Sequence, residues 1–172
     1  MRVLITGAAG MLGRALIEAW RELRKDDNLI GITRAEVDLR DARAVFDATE
    51  RIAPDVIVHT AARVGGICAN IAAPAEFLSD NLRVDTSVIC AALHANVRKL
   101  VYIGSSCMYP RDYRQPLVES DILRAPLEPT NEGYAIAKIA GAKLCAYMSR
   151  EHGVSYRIIL PSNLYGQHDH FG

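Results

Sequence analysis

Arg2-Val3-Leu4-Ile5-Thr6-Gly7-Ala8-Ala9-Gly10-Met11-Leu12-Gly13 opens the chain and decides its fold. Arg2 to Thr6 predict a short buried strand, which runs straight into a glycine-rich turn. Beyond the turn, Leu12, Ala15, Leu16, Ala19, Trp20 and Leu23 recur at helical spacing. Glycines at a strand-to-helix turn let the backbone approach a ligand closely. The helix start then offers unpaired N–H groups and the positive end of its dipole to phosphate. The spacing is Gly-x-x-Gly-x-x-Gly. Its place between strand and helix gives the triplet its meaning, with an ordinary βα turn as the competing reading.

Outward from that turn, strands and helices alternate. Leu29 to Thr33 predict a second strand ending at Arg34, about where dinucleotide folds meet the adenosine ribose. An acid there binds a free 2′-hydroxyl, whereas an arginine pairs with a 2′-phosphate, which tilts the cofactor toward NADP. Solvent exposure of Arg34 is the alternative account. Asp38-Leu39 reads as a very short strand, and Ala42, Val45, Phe46 and Ile52 as a helix stopped before Pro54. Asp55 to Thr60 predict a strand leading into Ala61-Ala62-Arg63-Val64-Gly65-Gly66, small residues that leave a cofactor room across the strand ends.

Pro74 stands near the start of a long helix striped by Leu78, Leu82, Ile89, Ala92 and Leu93, which closes near Asn96. Leu100 to Ile103 predict a strand that delivers Gly104-Ser105-Ser106-Cys107-Met108-Tyr109-Pro110 at its C-terminal end, where active-site groups of open α/β sheets collect. Arg111 to Asn131 reads as a long irregular loop. Ser155 to Leu160 form the last strand candidate, followed by Pro161-Ser162-Asn163-Leu164-Tyr165-Gly166. The alternation predicts an α/β fold: a doubly wound, Rossmann-like parallel sheet with right-handed crossovers, one domain over residues 1–172.

Between the loop and the last strand, Tyr134 and Lys138 lie four residues apart in an alanine-rich run ended by Gly153. On a helix they share a face, as do Ala142 and Cys145. An ammonium beside a phenol favours phenolate and lowers a pKa that is ordinarily ~10, which makes the pair an acid–base unit. A surface tyrosine beside a lysine is the bland reading.

Composition narrows the class. Twenty basic and twenty acidic residues cancel, so nothing points to nucleic acid or a membrane surface as partner. No apolar run reaches the ~20 residues of a membrane span, and the N-terminus is no signal peptide. Cys68, Cys90, Cys107 and Cys145 show neither paired nor metal-type spacing, so free thiols in a cytoplasmic protein are expected. His168-x-His170 has metal-type spacing but lacks further ligands, and no metal is expected.

The glycine turn, Ser105 ahead of Tyr134-x-x-x-Lys138, and Asn163 resemble the extended short-chain dehydrogenase/reductases. More narrowly, Val64-Gly65-Gly66-Ile67, the Gly104 to Pro110 and Glu128 to Lys138 runs, and Asn163-Leu164-Tyr165-Gly166 through His168-Asp169 are similar to the GDP-L-fucose synthase family over essentially the whole chain. The resemblance implies NADPH-dependent 3,5-epimerisation and 4-reduction of GDP-4-keto-6-deoxy-D-mannose, performed by a homodimer that pairs through the long helix and the Tyr134 helix. It implies that Tyr134 protonates the 4-oxygen as hydride arrives. Lys138 would hold the nicotinamide ribose and lower the tyrosine pKa, and Ser105 would polarise the ketone. Cys107 would remove the protons beside it, although taken alone that cysteine also reads as a small buried hydrophobe.

The implied cofactor contacts are Gly7, Ala8, Ala9, Gly10, Met11, Leu12 and Gly13, with Arg34, Asp38 and Leu39 on the adenosine half. Ala61, Ala62, Ile103, Gly104 and Ser106 lie across the strand ends, and Lys138, Pro161, Ser162, Asn163 and Leu164 at the nicotinamide. Three departures stand out. Ala9 replaces an arginine frequent in the family's glycine turn. Gly133 replaces a proline before Tyr134, which is expected to loosen the start of that helix. The family also continues past His168-Asp169 to a histidine acid and a second, GDP-sugar-gripping domain. The expectation for these 172 residues is NADPH binding without GDP-L-fucose synthesis on their own. A non-catalytic NADP(H)-binding module, and an enzyme acting on another GDP-sugar such as a 6-deoxyheptose, are the alternative readings.

Overall fold

The computed structural model describes residues 1–169. Its strands β1 (Arg2–Thr6), β2 (Asn28–Ile32), β3 (Val56–His59), β4 (Lys99–Ile103) and β5 (Ser155–Ile159) pair in parallel in the order β2-β1-β3-β4-β5. Between them run α1 (Met11–Leu23), α2 (Ala42–Ile52), α3 (Ile67–Ala72), α4 (Pro74–His94) and α5 (Glu132–His152). The chain steps from β1 outward to β2, then returns to build β3, β4 and β5 on the other side. The strand order therefore reverses beside β1, which opens a crevice at the C-terminal ends of β1 and β3.

Both sheet faces are covered, so the inner strands are apolar on both sides rather than alternating with polar residues. Val3, Ile5, Val56 and Val58 pack against Leu16, Ile17 and Trp20 of α1. Leu4, Ile57, Leu100 and Tyr102 belong to the larger core shared with α2, α4 and α5. Local chemistry sets the helix ends. The Asp41 carboxylate accepts the Ala44 N–H at the start of α2. Pro74 occupies the first turn of α4, and Gly153 closes α5 in the left-handed conformation.

Two expectations change. Asp38-Leu39 is not a strand, because Arg40 grips the Asp38 carboxylate through its backbone N–H and its guanidinium and folds the segment into a turn. A short helix, α3, precedes Pro74, and the Asn70 amide donates back to the carbonyls of Gly65 and Gly66. The 111–131 segment is irregular apart from 3-10 turns at Glu119–Asp121 and Pro129–Asn131. No helix among the described residues is long and apolar enough to cross a membrane.

Candidate active site

The glycine turn and the end of β3 meet at the crevice. Gly7 has φ +70, and a Cβ there would lie 2.8 Å from both the backbone nitrogen and the Cα of Ala61. Only glycine satisfies both conditions, so the turn lies flat on Ala61. The Gly10 N–H donates to the Gly7 carbonyl at 2.9 Å, and the Ala8 N–H to Ile32 at 3.1 Å. Gly10 gives α1 no side-chain cap, which leaves its first N–H groups as the anion-binding end that a pyrophosphate would take. The structure thus brings Gly7 to Gly13 together with Ala61, next to Ala62. Leu164 to His168 cross over Met11 and Leu12 and enclose a groove of about 370 Å³.

At the end of β2, Arg34 is exposed. Glu36 accepts the Thr33 N–H and hydroxyl, both at 2.8 Å, and these bonds hold its carboxyl below the usual range. Asp38 is held at about 2 by its hydrogen bonds to Arg40, and Leu39 is buried in the core. Arg40 reaches Asp80 of α4 at 3.5 Å, and Asp80 in turn pairs with Arg63 at 2.9 Å. Arg63 also pairs with Glu76 and lies over the Phe77 ring. Charge thereby stitches the loops after β2 and β3 to α4.

The chemistry-bearing residues gather at the end of β4. Ser105 accepts the Cys107 N–H at 3.2 Å and lies near the Tyr134 phenol. The Asn131 amide donates to Cys107 Sγ at 3.1 Å, while its own Oδ1 is buried without a partner. The Ser106 N–H bonds the Pro161 carbonyl at 3.1 Å and the Gly104 N–H bonds Ile159 at 2.8 Å, which aligns the segment with the end of β5. Ser162, Asn163 and Leu164 are exposed beyond that anchor. Ile103 and Ser106 are half-buried and Gly104 is buried.

Tyr134 departs from expectation. Burial pushes its phenol up to about 12, with Cys107 and Asp85 adding to the rise and the nearby Ser105 hydroxyl opposing it. Lys138 does not contribute, because its ammonium points elsewhere: it lies 3.6 Å from Asp85 Oδ2 and 4.1 Å from the centre of the Tyr102 ring. A phenol in that state is a proton donor at neutral pH.

Sequence reasoning missed the group that Lys138 joins. Thr6 closes β1, His59 closes β3, Tyr102 lies in β4 and Asp85 in mid-α4, and all are buried. Their only sequence signals are single polar residues inside apolar runs. Of the cysteines, Cys68 is exposed, Cys90 and Cys107 are half-buried and Cys145 is buried, all as free thiols. No His/Cys/Asp/Glu group arranged to hold a metal occurs among the described residues. His170 lies outside them.

The family model for the NAD dependent epimerase/dehydratase family matches residues 3–172. The GDP-L-fucose synthase of Escherichia coli (strain K12) is 49% identical over 172 residues, which is 99% of this chain and 53% of that relative. The GDP-L-colitose synthase of Yersinia pseudotuberculosis is 42% identical over 99% of this chain and 55% of its own length. Among solved structures, a GDP-D-glycero-L-gluco-heptose synthase from Campylobacter jejuni, crystallised in the presence of NADPH, matches with TM-score 0.91 and 34% identity over 96% of this chain and 48% of that one. The chain spans about half the length of the curated relatives it matches.

Proposed function

The chain belongs to the NAD dependent epimerase/dehydratase family, and on that premise we propose that it carries the cofactor site and the reductive chemistry of a GDP-sugar epimerase/reductase. The substrate in this reading is GDP-4-keto-6-deoxy-D-mannose and residues 1–172 are its dinucleotide-binding domain. The observation that carries it is the convergence of Ser105, Cys107 and Tyr134 at the end of β4, where Ser105 accepts the Cys107 N–H and lies close enough to Tyr134 to act on its phenol.

The residues present fit NADP(H). The glycine turn, which carries no side chain at Gly7, Gly10 or Gly13, and the uncapped start of α1 would receive the pyrophosphate. Arg34 would meet the 2′-phosphate. When bound, the dinucleotide supplies the hydride. Tyr134, protonated at neutral pH, donates its proton to the 4-oxygen, and the Ser105 hydroxyl hydrogen-bonds the same oxygen. Cys107 Sγ, positioned by the Asn131 amide, takes the protons from the carbons flanking the ketone.

Fluorescence titration with NADPH, followed by incubation with the 4-keto sugar in deuterated buffer, tests this reading. Saturable NADPH binding is expected, and a chain that binds no nicotinamide dinucleotide refutes it. The colitose and heptose relatives favour a second reading with another GDP-sugar as substrate. Deuterium incorporation into such a sugar, and none into the deoxymannose, would decide for it. Cytoplasmic location and homodimerisation through α4 and α5 belong to the first reading. Ala135, Ala142 and Ala146 of α5 are the small residues that would allow close approach of the helices. Ala135 is buried within its own chain, Ala142 is half-buried and Ala146 is exposed. Sedimentation as a monomer alone at ~tens of micromolar, an ordinary interface range, would count against dimerisation.

A further inference from the structure

Lys138 is 2% exposed and its ammonium rests on a group contributed by four other elements. Asp85 Oδ2 faces it at 3.6 Å and also accepts the Tyr102 hydroxyl. Asp85 Oδ1 meets His59 Nε2 at 3.0 Å, and His59 Nδ1 meets Thr6 Oγ1 at 2.7 Å. The Ala61 N–H reaches the same Thr6 oxygen at 3.4 Å. One tautomer satisfies every bond: His59 Nε2–H donates to Asp85, Thr6 O–H donates to Nδ1, and Thr6 Oγ1 accepts from Ala61. In that tautomer the imidazole is neutral. Burial pushes the His59 pKa down against the pull of Asp85, which agrees with this assignment.

A neutral His59 leaves Lys138 as the cation facing the Asp85 charge, and a buried carboxylate without a counter-ion is strongly disfavoured. The groups facing Lys138 are Asp85 from α4, Tyr102 from β4, His59 from β3, and Cys145 from its own helix. Burial opposes ionisation of Asp85, but Lys138, His59 and Tyr102 together hold its carboxyl below the usual range. The other end of the network is the cofactor cradle, because Thr6 precedes Gly7 and Ala61 is the residue on which Gly7 lies.

We propose that Asp85 is a positioning residue for Lys138: its carboxylate, fixed by His59 and Tyr102, seats the Lys138 ammonium and ties that seat through Thr6 to the glycine turn. This rests on the reading of the chain as a nicotinamide-dependent enzyme, in which Lys138 serves the cofactor.

A double-mutant cycle on NADPH affinity tests it, using Asp85→Asn, Lys138→Met and the double variant, with circular dichroism to check folding. Asp85→Asn keeps the shape and removes the charge. It should weaken NADPH binding roughly tenfold, the scale of one charge-assisted hydrogen bond. The double variant should lose no more than Lys138→Met alone, and Asp85→Glu should recover part of the loss. Additive losses, or wild-type affinity in Asp85→Asn, overturn the proposal.

A second readout needs no cofactor. The lysines are Lys25, Lys99, Lys138 and Lys143, few enough to follow by NMR. Asp85→Asn should move the Lys138 midpoint down by about 1 unit or more, since an opposite charge within reach is lost, and an unchanged midpoint overturns the proposal. Should Asp85→Asn not fold, the wild-type chain decides. Its Lys138 ammonium protons should be slow to exchange at neutral pH and show cross-relaxation to the Tyr102 ring, and their absence overturns the seat. Failure of the wild-type chain to bind NADPH refutes the functional reading and leaves these NMR outcomes to decide on Asp85.

Discussion

Gly141 of α5 is the residue that lets the helix reach this network, and replacing it tests the packing. A Cβ at Gly141 would overlap the Tyr102 hydroxyl and lie 2.7 Å from Tyr102 Cζ and 2.9 Å from Asp85 Oδ2. On helix propensity alone, Gly141→Ala should stabilise by about 1 kcal/mol. Overpacking a closed core costs about 1–3 kcal/mol. Here the neighbours are no flexible chain ends: Tyr102 is fully buried with its hydroxyl on Asp85, and Asp85 is held by His59. The cost therefore falls near the upper end, and the net effect is a loss of about 2 kcal/mol. For a chain of this size each ~1 kcal/mol moves Tm by about 2–4 °C, so Tm should fall by about 4–8 °C. Thermal unfolding followed by circular dichroism measures it. A Tm at or above wild type would mean that α5 gives way cheaply, and that close approach is not why glycine stands there.

Arg34→Ala should weaken NADPH binding about tenfold and leave NADH nearly unchanged, as removal of one phosphate-facing guanidinium requires; equal losses for both cofactors would refute the role. In a preparation that turns over the 4-keto sugar, Cys107→Ser should cut deuterium wash-in beside the ketone by ~100-fold or more, whereas Tyr134→Phe should spare wash-in and remove NADPH oxidation. The reverse pattern would exchange the two roles. Because the folded pKa of His59 lies below its ordinary 6.5, the unfolded chain takes up the proton first. Stability contributed by the neutral imidazole is then present above about pH 6.5 and lost as pH falls through the folded value. Urea melts at pH 7.5 and 5.5 should show that loss, and an identical loss in His59→Gln would assign it elsewhere.

Legibility followed periodicity. Leu12 to Leu23 and Ala42 to Ile52 could be read because each repeats its apolar residues over several turns and carries its own stop. The strand ends moved by about a residue because pairing, not pattern, decides them. Asp38-Leu39 misled for a definite reason: Val37 and Leu39 are buried and alternate as in a strand, while the Arg40 grip on Asp38 that bends the backbone leaves no mark in hydropathy. At six residues, α3 is too short to show a period. Gly133, expected to loosen the start of α5, is crowded instead, since a Cβ there would lie 2.7 Å from the Pro74 carbonyl oxygen. The residues at the end of β4 were legible through resemblance. The Asp85 network was not, because Thr6, His59, Asp85 and Tyr102 are each one polar side chain in a separate apolar element and only the fold assembles them.

Charge at the rim of the crevice bears on cofactor choice in the same way. An acid near the end of β2 would favour a dinucleotide with a free 2′-hydroxyl, and two acids stand there. Both are committed within the chain, Glu36 to the Thr33 N–H and hydroxyl and Asp38 to Arg40. Two of the nearby cations are committed as well, Arg40 to Asp38 and Asp80, and Arg63 to Asp80 and Glu76. Arg34 makes no ion pair among the described residues, and Ala9 brings no second cation from the glycine turn. On the proposed reading, preference for a 2′-phosphate would rest on one exposed guanidinium, screened over a Debye length of ~8 Å at physiological salt. A single screened contact supports discrimination of about tenfold, and that discrimination should shrink as salt is raised. A second arginine free of such pairs at this rim would hold a larger preference against salt.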